Sequence, residues 1–205
     1  MNRIKRTWIQ AVGMVMMIGF LTSANAAPVQ WSTDQGGNGH YYEVILLTES
    51  ISWTNARAAA EAALFLDVQG DLASVASAGE NEFIAGLFTA DHWVDNGTNG
   101  FMGPWIGGYQ PDGVNWAWTD GETWGYTAWE HNQPTNQTNQ DYVHYYVYGR
   151  SNNPLTEPAT WNDLASDATN VYGYVIEYAP VPVPGALILL SSGLLGLAGL
   201  GRRRS

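Results

Sequence analysis

The chain has 205 residues, ten tryptophans, eleven tyrosines, no cysteine and a net charge of −11. This acidity excludes nucleic acid as a partner, because phosphate contacts need a basic face. The lack of cysteine excludes a disulfide framework, so burial must hold the fold, alone or with bound ions.

The charge is unevenly placed. All 19 acidic residues fall between positions 27 and 179, where only Arg57 and Arg150 oppose them. Such a surface keeps an exported protein soluble and makes divalent cations candidate partners. Ahead of it, Arg3, Lys5 and Arg6 precede an apolar run from Ala11 to Leu21 and the small-residue site Ala24-Asn25-Ala26. This order reads as a secretory signal over residues 1–26, cut by signal peptidase after Ala26; an N-terminal membrane anchor is the alternative. Residues 27–180 then suffice for one domain with a real core.

Trp31 to Gly39 reads as an irregular lead-in, and His40 to Leu47 as a strand. Ser52 caps a helix from Trp53 to about Leu66, with Trp53, Ala56, Ala60 and Leu64 on one face. Gly70-Asp71 stops it, and Leu72 to Val75 forms a short link. Ser77 and Glu80 have capping-box spacing for a second helix through Phe88, which turns Phe83, Ile84, Leu87 and Phe88 to the core. Ala90 to Gly103 reads as a loop. Short strands follow at Trp105 to Tyr109 and around Trp116 and Trp118. A long polar loop runs through His131-Asn132-Gln133-Pro134-Thr135 to Asp141. Asp141 to Tyr148 alternates, with Val143, Tyr145 and Val147 on one face and Tyr142, His144, Tyr146 and Tyr148 on the other. Thr160 to Asn162 and Tyr172 to Tyr178 complete the strands, the latter with Tyr174, Ile176 and Tyr178 on one face. One strand, two helices and then several short strands make an α+β domain.

Beyond it, Val181-Pro182-Val183-Pro184 leads into an apolar run from Gly185 to Gly201 and then Arg202-Arg203-Arg204. The run is just long enough to span a membrane, and the arginines would stay on the cytoplasmic side. Residues 181–205 resemble the PEP-CTERM sorting signal of Gram-negative bacteria, with Val-Pro-Val-Pro in place of Pro-Glu-Pro. The resemblance implies processing by an exosortase and a destination at the outer surface or in the extracellular matrix. A plain C-terminal transmembrane helix is the alternative.

Landmarks in the domain occur in the order of a C-type lectin-like domain. Ser52-Trp53-Thr54-Asn55-Ala56-Arg57 resembles that family's first helix. Asp71-Leu72-Ala73-Ser74-Val75-Ala76-Ser77 resembles the link into its second. Trp105-Ile106-Gly107-Gly108, Gln133-Pro134-Thr135, Trp161-Asn162-Asp163 and Gly173-Tyr174-Val175-Ile176-Glu177-Tyr178 resemble its later motifs. The resemblance implies a fold of two helices with small antiparallel sheets and a long loop region. It also implies paired first and last strands and a cis bond at Pro134. By the same resemblance, a calcium ion and a sugar would share Gln133, Thr135, Gln140, Asn162 and Asp163, with Asp141 as a further metal ligand. Only Asp163 and Asp141 of these are carboxylates, so the expected calcium site is weak.

Other candidates are fewer. Trp124 and Trp129 are the tryptophans least tied to the core pattern and are candidate sugar-stacking residues; most of the others read as core. His40, His92, His131 and His144 show no zinc-ligand spacing, and His144 reads as structural. Glu122 and Glu130 flank an aromatic stretch, but nothing in the sequence sets them across a cleft for glycoside hydrolysis. No G-x-S-x-G or H-E-x-x-H is present, so no catalytic activity is expected. The reading is a secreted or cell-surface carbohydrate-binding module, calcium-assisted, in a matrix or exopolysaccharide. Its alternative is a calcium-independent structural or adhesive protein that binds a protein partner.

Overall fold

The computed structural model describes residues 26–149 and 153–181. The segments read as a signal peptide (1–26) and as a C-terminal sorting or membrane segment (181–205) lie, apart from Ala26 and Val181, outside these. Among the described residues no helix is long and apolar enough to cross a membrane.

The elements in order are β1 (Val29–Gln30), β2 (Tyr41–Leu46), α1 (Trp53–Ala62), β3 (Leu64–Phe65), β4 (Val68–Leu72), α2 (Ala78–Ala85), β5 (Val94–Asp95), β6 (Gly100–Tyr109), β7 (Ala117–Trp118), β8 (Tyr142–Tyr148), β9 (Thr160–Leu164) and β10 (Gly173–Tyr178). The two helices and the expected strand order are present. The pairings link all ten strands into one mixed sheet with the path β1-β2-β10-β6-β8-β9. β2 and β10, first and last of the long strands, pair antiparallel from Tyr41↔Tyr178 to Leu46↔Gly173. β10 also pairs antiparallel with β4 and parallel with β6 at Tyr174↔Trp105.

Both faces of the central strands are covered. From β8, Val143, Tyr145 and Val147 enter one core with Ile84, Phe88, Trp118 and Trp161. Tyr146 enters the other with Trp53, Trp105 and Ile176. The period-two alternation read from the sequence is therefore real, and each face has its own apolar layer.

Both helix starts follow local chemistry. The Ser52 hydroxyl accepts the Asn55 N–H at 3.2 Å, and the Ser77 hydroxyl accepts the Glu80 N–H at 3.2 Å. Glu80 reaches back one residue beyond the expected box and takes the Ala76 N–H at 2.7 Å.

Three elements differ from the sequence reading, the slightest being α2, which ends at Ala85 rather than Phe88. α1 ends at Ala62, not near Leu66, and the chain turns straight into the β3–β4 hairpin. Leu66 (φ 50°) and Asp67 (φ 66°) form its two-residue turn, and two left-handed positions match the twist of a hairpin. Leucine there gives no turn signal, and Leu64, expected on the buried helix face, is 70% exposed. The third difference is residues 90–103. Instead of a loop they hold a short 3₁₀ turn, β5 and the first half of β6. Pro104 and the flanking glycines mask this strand, since proline is normally confined to edges and irregularities of a sheet. Here it sits at a register shift between Met102 and Trp105.

The Trp105-Ile106-Gly107-Gly108 motif packs where no side chain fits. A Cβ on Gly107 would lie 2.6 Å from the Leu72 carbonyl oxygen and 2.7 Å from the Thr119 hydroxyl. Backbone cannot give way as a side-chain tip can, so Gly107→Ala should lower unfolding stability by about 1–3 kcal/mol, the usual cost of overpacking. Gly125→Ala, with nothing within 4 Å, serves as the control and should stay within about 0.5 kcal/mol of the parent in urea titrations.

Candidate functional site

Between β7 and β8 the chain makes the long loop of residues 119–141. Its first half is anchored by aromatics. Trp124 lies on Trp118 at 4.5 Å between ring centroids and stacks with Trp116 at 5.7 Å. Trp129 meets the edge of Trp161 at 5.9 Å. Main-chain bonds reinforce this. Trp161 N–H donates to the Ala128 carbonyl at 2.8 Å, and Glu130 N–H donates to the Trp161 carbonyl at 2.9 Å.

The second half is held from β9. Asp163 is wholly buried. One of its oxygens accepts the Thr135 N–H at 2.9 Å and the other accepts the Asn136 N–H at 2.6 Å. The Gln133–Pro134 bond just before them is cis, as the resemblance implied. Thr135 donates its hydroxyl to Gln140 Oε1 at 2.6 Å.

Above this turn lies a cleft of about 260 Å³ lined by Asn96, Met102, Gln133, Thr135, Gln137, Gln140, Tyr146, Asn162, Leu164 and Asn170. Four expected site residues meet there: Gln133, Thr135, Gln140 and Asn162. Asp163 stands outside the lining, spent on loop N–H groups. Asp141 does not line the cleft either; its carbonyl accepts the Gln110 N–H at 2.9 Å. Trp124 and Trp129 are half-buried on the core and also lie outside the lining. Asn96, Gln137, Tyr146 and Asn170 were missed by sequence reasoning. Asn96 and Asn170 come from segments far from the loop and carry no spacing signal.

Most residues around the cleft are polar, though Met102, Tyr146 and Leu164 give it apolar surface, and none of the lining residues is a carboxylate. Six primary amides face it, and Gln133 Oε1 is a buried acceptor with no hydrogen-bond partner among the described residues. Beneath it, the Asn162 side-chain nitrogen lies 3.1 Å from Nε2 of the wholly buried His144. With the amide donating, that imidazole is neutral, and burial holds its pKa down to about 4.

No protein-family model matches the chain. The crystal structure of the C-type lectin CEL-I from Cucumaria echinata aligns with a TM-score of 0.53 and 28% identity, over 70% of this chain and 92% of that one. The fold is C-type lectin-like. An alpha-N-acetylgalactosamine-specific lectin of Patiria pectinifera is 33% identical over 109 residues, 53% of this chain and 57% of the lectin. Halomucin of Haloquadratum walsbyi is 28% identical over 152 residues, 73% of this chain and 2% of halomucin. The chain thus spans just over half of one curated relative and a small fraction of the other.

In this C-type lectin-like domain the expected calcium cage does not fit the residues present. Calcium affinity grows with the number of charged oxygen ligands. The cleft offers neutral amides, and Asp163 stands outside its lining with one loop N–H on each oxygen, so the charge the ion would need is short. Glu130, the other flanking carboxylate of interest, is buried and accepts the His131 N–H at 2.7 Å and the Thr160 hydroxyl at 2.9 Å. Glu122 sits instead against His40 and Glu177.

Two outcomes follow from this geometry. Asp163→Ala strands two loop N–H groups and should cost roughly 2–3 kcal/mol, read by urea unfolding without any added ion. His144 has a folded pKa below its ordinary 6.5. Its contribution to stability is therefore complete above pH 6.5 and is lost as pH falls toward 4. A His144→Gln variant should show a shallower loss of melting temperature over that window than the parent.

Proposed function

We propose that the chain is an exported, lectin-like carbohydrate-binding module that takes a neutral sugar in the amide-lined cleft without calcium. The observation that carries this reading is the lining itself. Amides both donate and accept, as sugar hydroxyls do, and the unpartnered Gln133 Oε1 is an acceptor suited to a hydroxyl donor. A buried acceptor left unmatched is costly, so a ligand that satisfies it gains affinity. Gln133, Thr135, Gln140 and Asn162 are assigned to ligand contact. Asp163 shapes the turn beneath them, and Trp124 and Trp129 anchor the loop.

The relative specific for alpha-N-acetylgalactosamine supports a sugar ligand and makes that sugar the first to screen. Export by the signal over residues 1–26 belongs to the same reading. So does sorting through residues 181–205 by an exosortase, toward the outer surface or exopolysaccharide matrix of a Gram-negative bacterium. The second reading is an adhesive surface protein with a protein partner, which the carboxylate-poor cage favours over a calcium lectin.

A glycan array followed by calorimetry on the best hit tests the proposal. Binding should persist in chelator, and Gln133→Ala or Asn162→Ala should each weaken it by about tenfold, the value of one to two hydrogen bonds. Binding that disappears with chelator, or that ignores both substitutions, would refute the metal-free cleft. No glycan binding at all would move the search to protein partners.

A further inference from the structure

A second polar cluster lies apart from the sugar cleft, where the first and last strands meet the start of the long loop. Glu177 of β10 is 6% exposed and accepts the Ser74 N–H on one oxygen at 2.8 Å. Its other oxygen meets His40 Nδ1 and, at 3.0 Å, the Tyr42 hydroxyl. Tyr42 also donates to Glu80, itself only 2% exposed, and Asn38 adds an amide donor to the same oxygen of Glu80 at 2.8 Å. One hydroxyl proton thus faces two buried carboxylates, and it can satisfy only one at a time.

Glu122 enters from the turn after Asp120-Gly121. One donor atom each from His40, Glu122 and Glu177 lies within 4.8 Å of the others. Two small clefts flank the trio. One of about 280 Å³ is lined by Asn38, Glu80 and Glu122 among others, and one of about 130 Å³ by His40, Asp71, Asp120 and Glu177 among others. Neither lining contains a lysine or arginine. Buried carboxylates need a compensating charge, and a single imidazole faces this group. Ser74 fixes Glu177 through its backbone N–H, which leaves the Glu177 carboxylate held on one oxygen by main chain and on the other by His40 and Tyr42.

We infer that His40, Glu122 and Glu177 form a zinc-class transition-metal site. An imidazole with two carboxylates suits zinc, whereas calcium and magnesium prefer all-oxygen surroundings. Three protein ligands leave a fourth position for water, and the flanking clefts give access from solvent. The bound ion takes the place of the proton between His40 and Glu177. It ties the segment before β2, the end of β10 and the head of the long loop together, in a chain with no cysteine to do so.

The test uses the purified full chain, stripped of metal and titrated with zinc chloride by calorimetry and by thermal unfolding. One equivalent should bind and raise the melting temperature, because an ion held only by the folded state stabilises it by mass action. His40→Gln and Glu122→Gln should each weaken zinc binding by about tenfold or more, the scale of losing support at a metal site. Both should leave glycan binding unchanged, which separates this site from the sugar cleft. Cobalt(II) gives a readout independent of stability: the parent should show visible bands of a low-coordinate nitrogen–oxygen site, lost in Glu122→Gln. The inference is overturned if zinc does not bind, if it binds both variants as well as the parent, or if calcium gives the larger shift and His40→Gln leaves that shift intact.

Discussion

Trp161 makes the long loop and the sheet one body. Its indole is wholly buried and donates to Asn81 of α2 at 2.9 Å, its ring meets Trp118, Tyr126 and Trp129 edge-on, and its backbone bonds the loop on both sides. Aromatic side chains of this size bring the largest area from water per residue. With no cysteine available, that burial replaces a covalent staple. The next two residues use the same placement differently: Asn162 faces the cleft and Asp163 collects the turn at Thr135 and Asn136. A binding surface on a loop needs a rigid scaffold beneath it, and three consecutive residues of β9 supply it.

The composition of the cleft sets its chemistry. A lectin that recruits calcium lets the ion do much of the holding and needs negative charge to keep it. Here the negative charge lies elsewhere, in Asp163 below the loop and in Glu80, Glu122 and Glu177 across the molecule. The amides left at the cleft are neutral and short-ranged, so a sugar taken there as proposed would be held by fit and by direct hydrogen bonds.

Much of this was legible where the cause is local. Ser52 and Ser77 announce helix starts because a hydroxyl can take an orphan N–H within its own turn. The alternation of β8 and β10 is readable because each face has a separate apolar layer. Pro134, Trp161, Asn162 and Asp163 were found through an ordered set of motifs. What escaped has a physical reason in each case. Leu66 adopts a left-handed turn without the residue type that signals one. Pro104 hides a strand by lying at its irregularity. Asn96 and Asn170 reach the cleft, and His40 reaches Glu177, only through tertiary folding. No spacing rule joins residues brought together by the sheet.

The position of β10 has a consequence for when the domain can form. It is the last strand of the domain, yet it lies within the sheet with β2, β4 and β6 as partners. Until residues 173–178 are available, β2 and β4 lack that shared neighbour, and the Tyr178–Glu43 hydrogen bond closes across 135 positions. Contacts so distant in sequence make folding slow. A chain threaded through a narrow channel from its N-terminus would therefore carry this sheet incomplete until its final strand had passed.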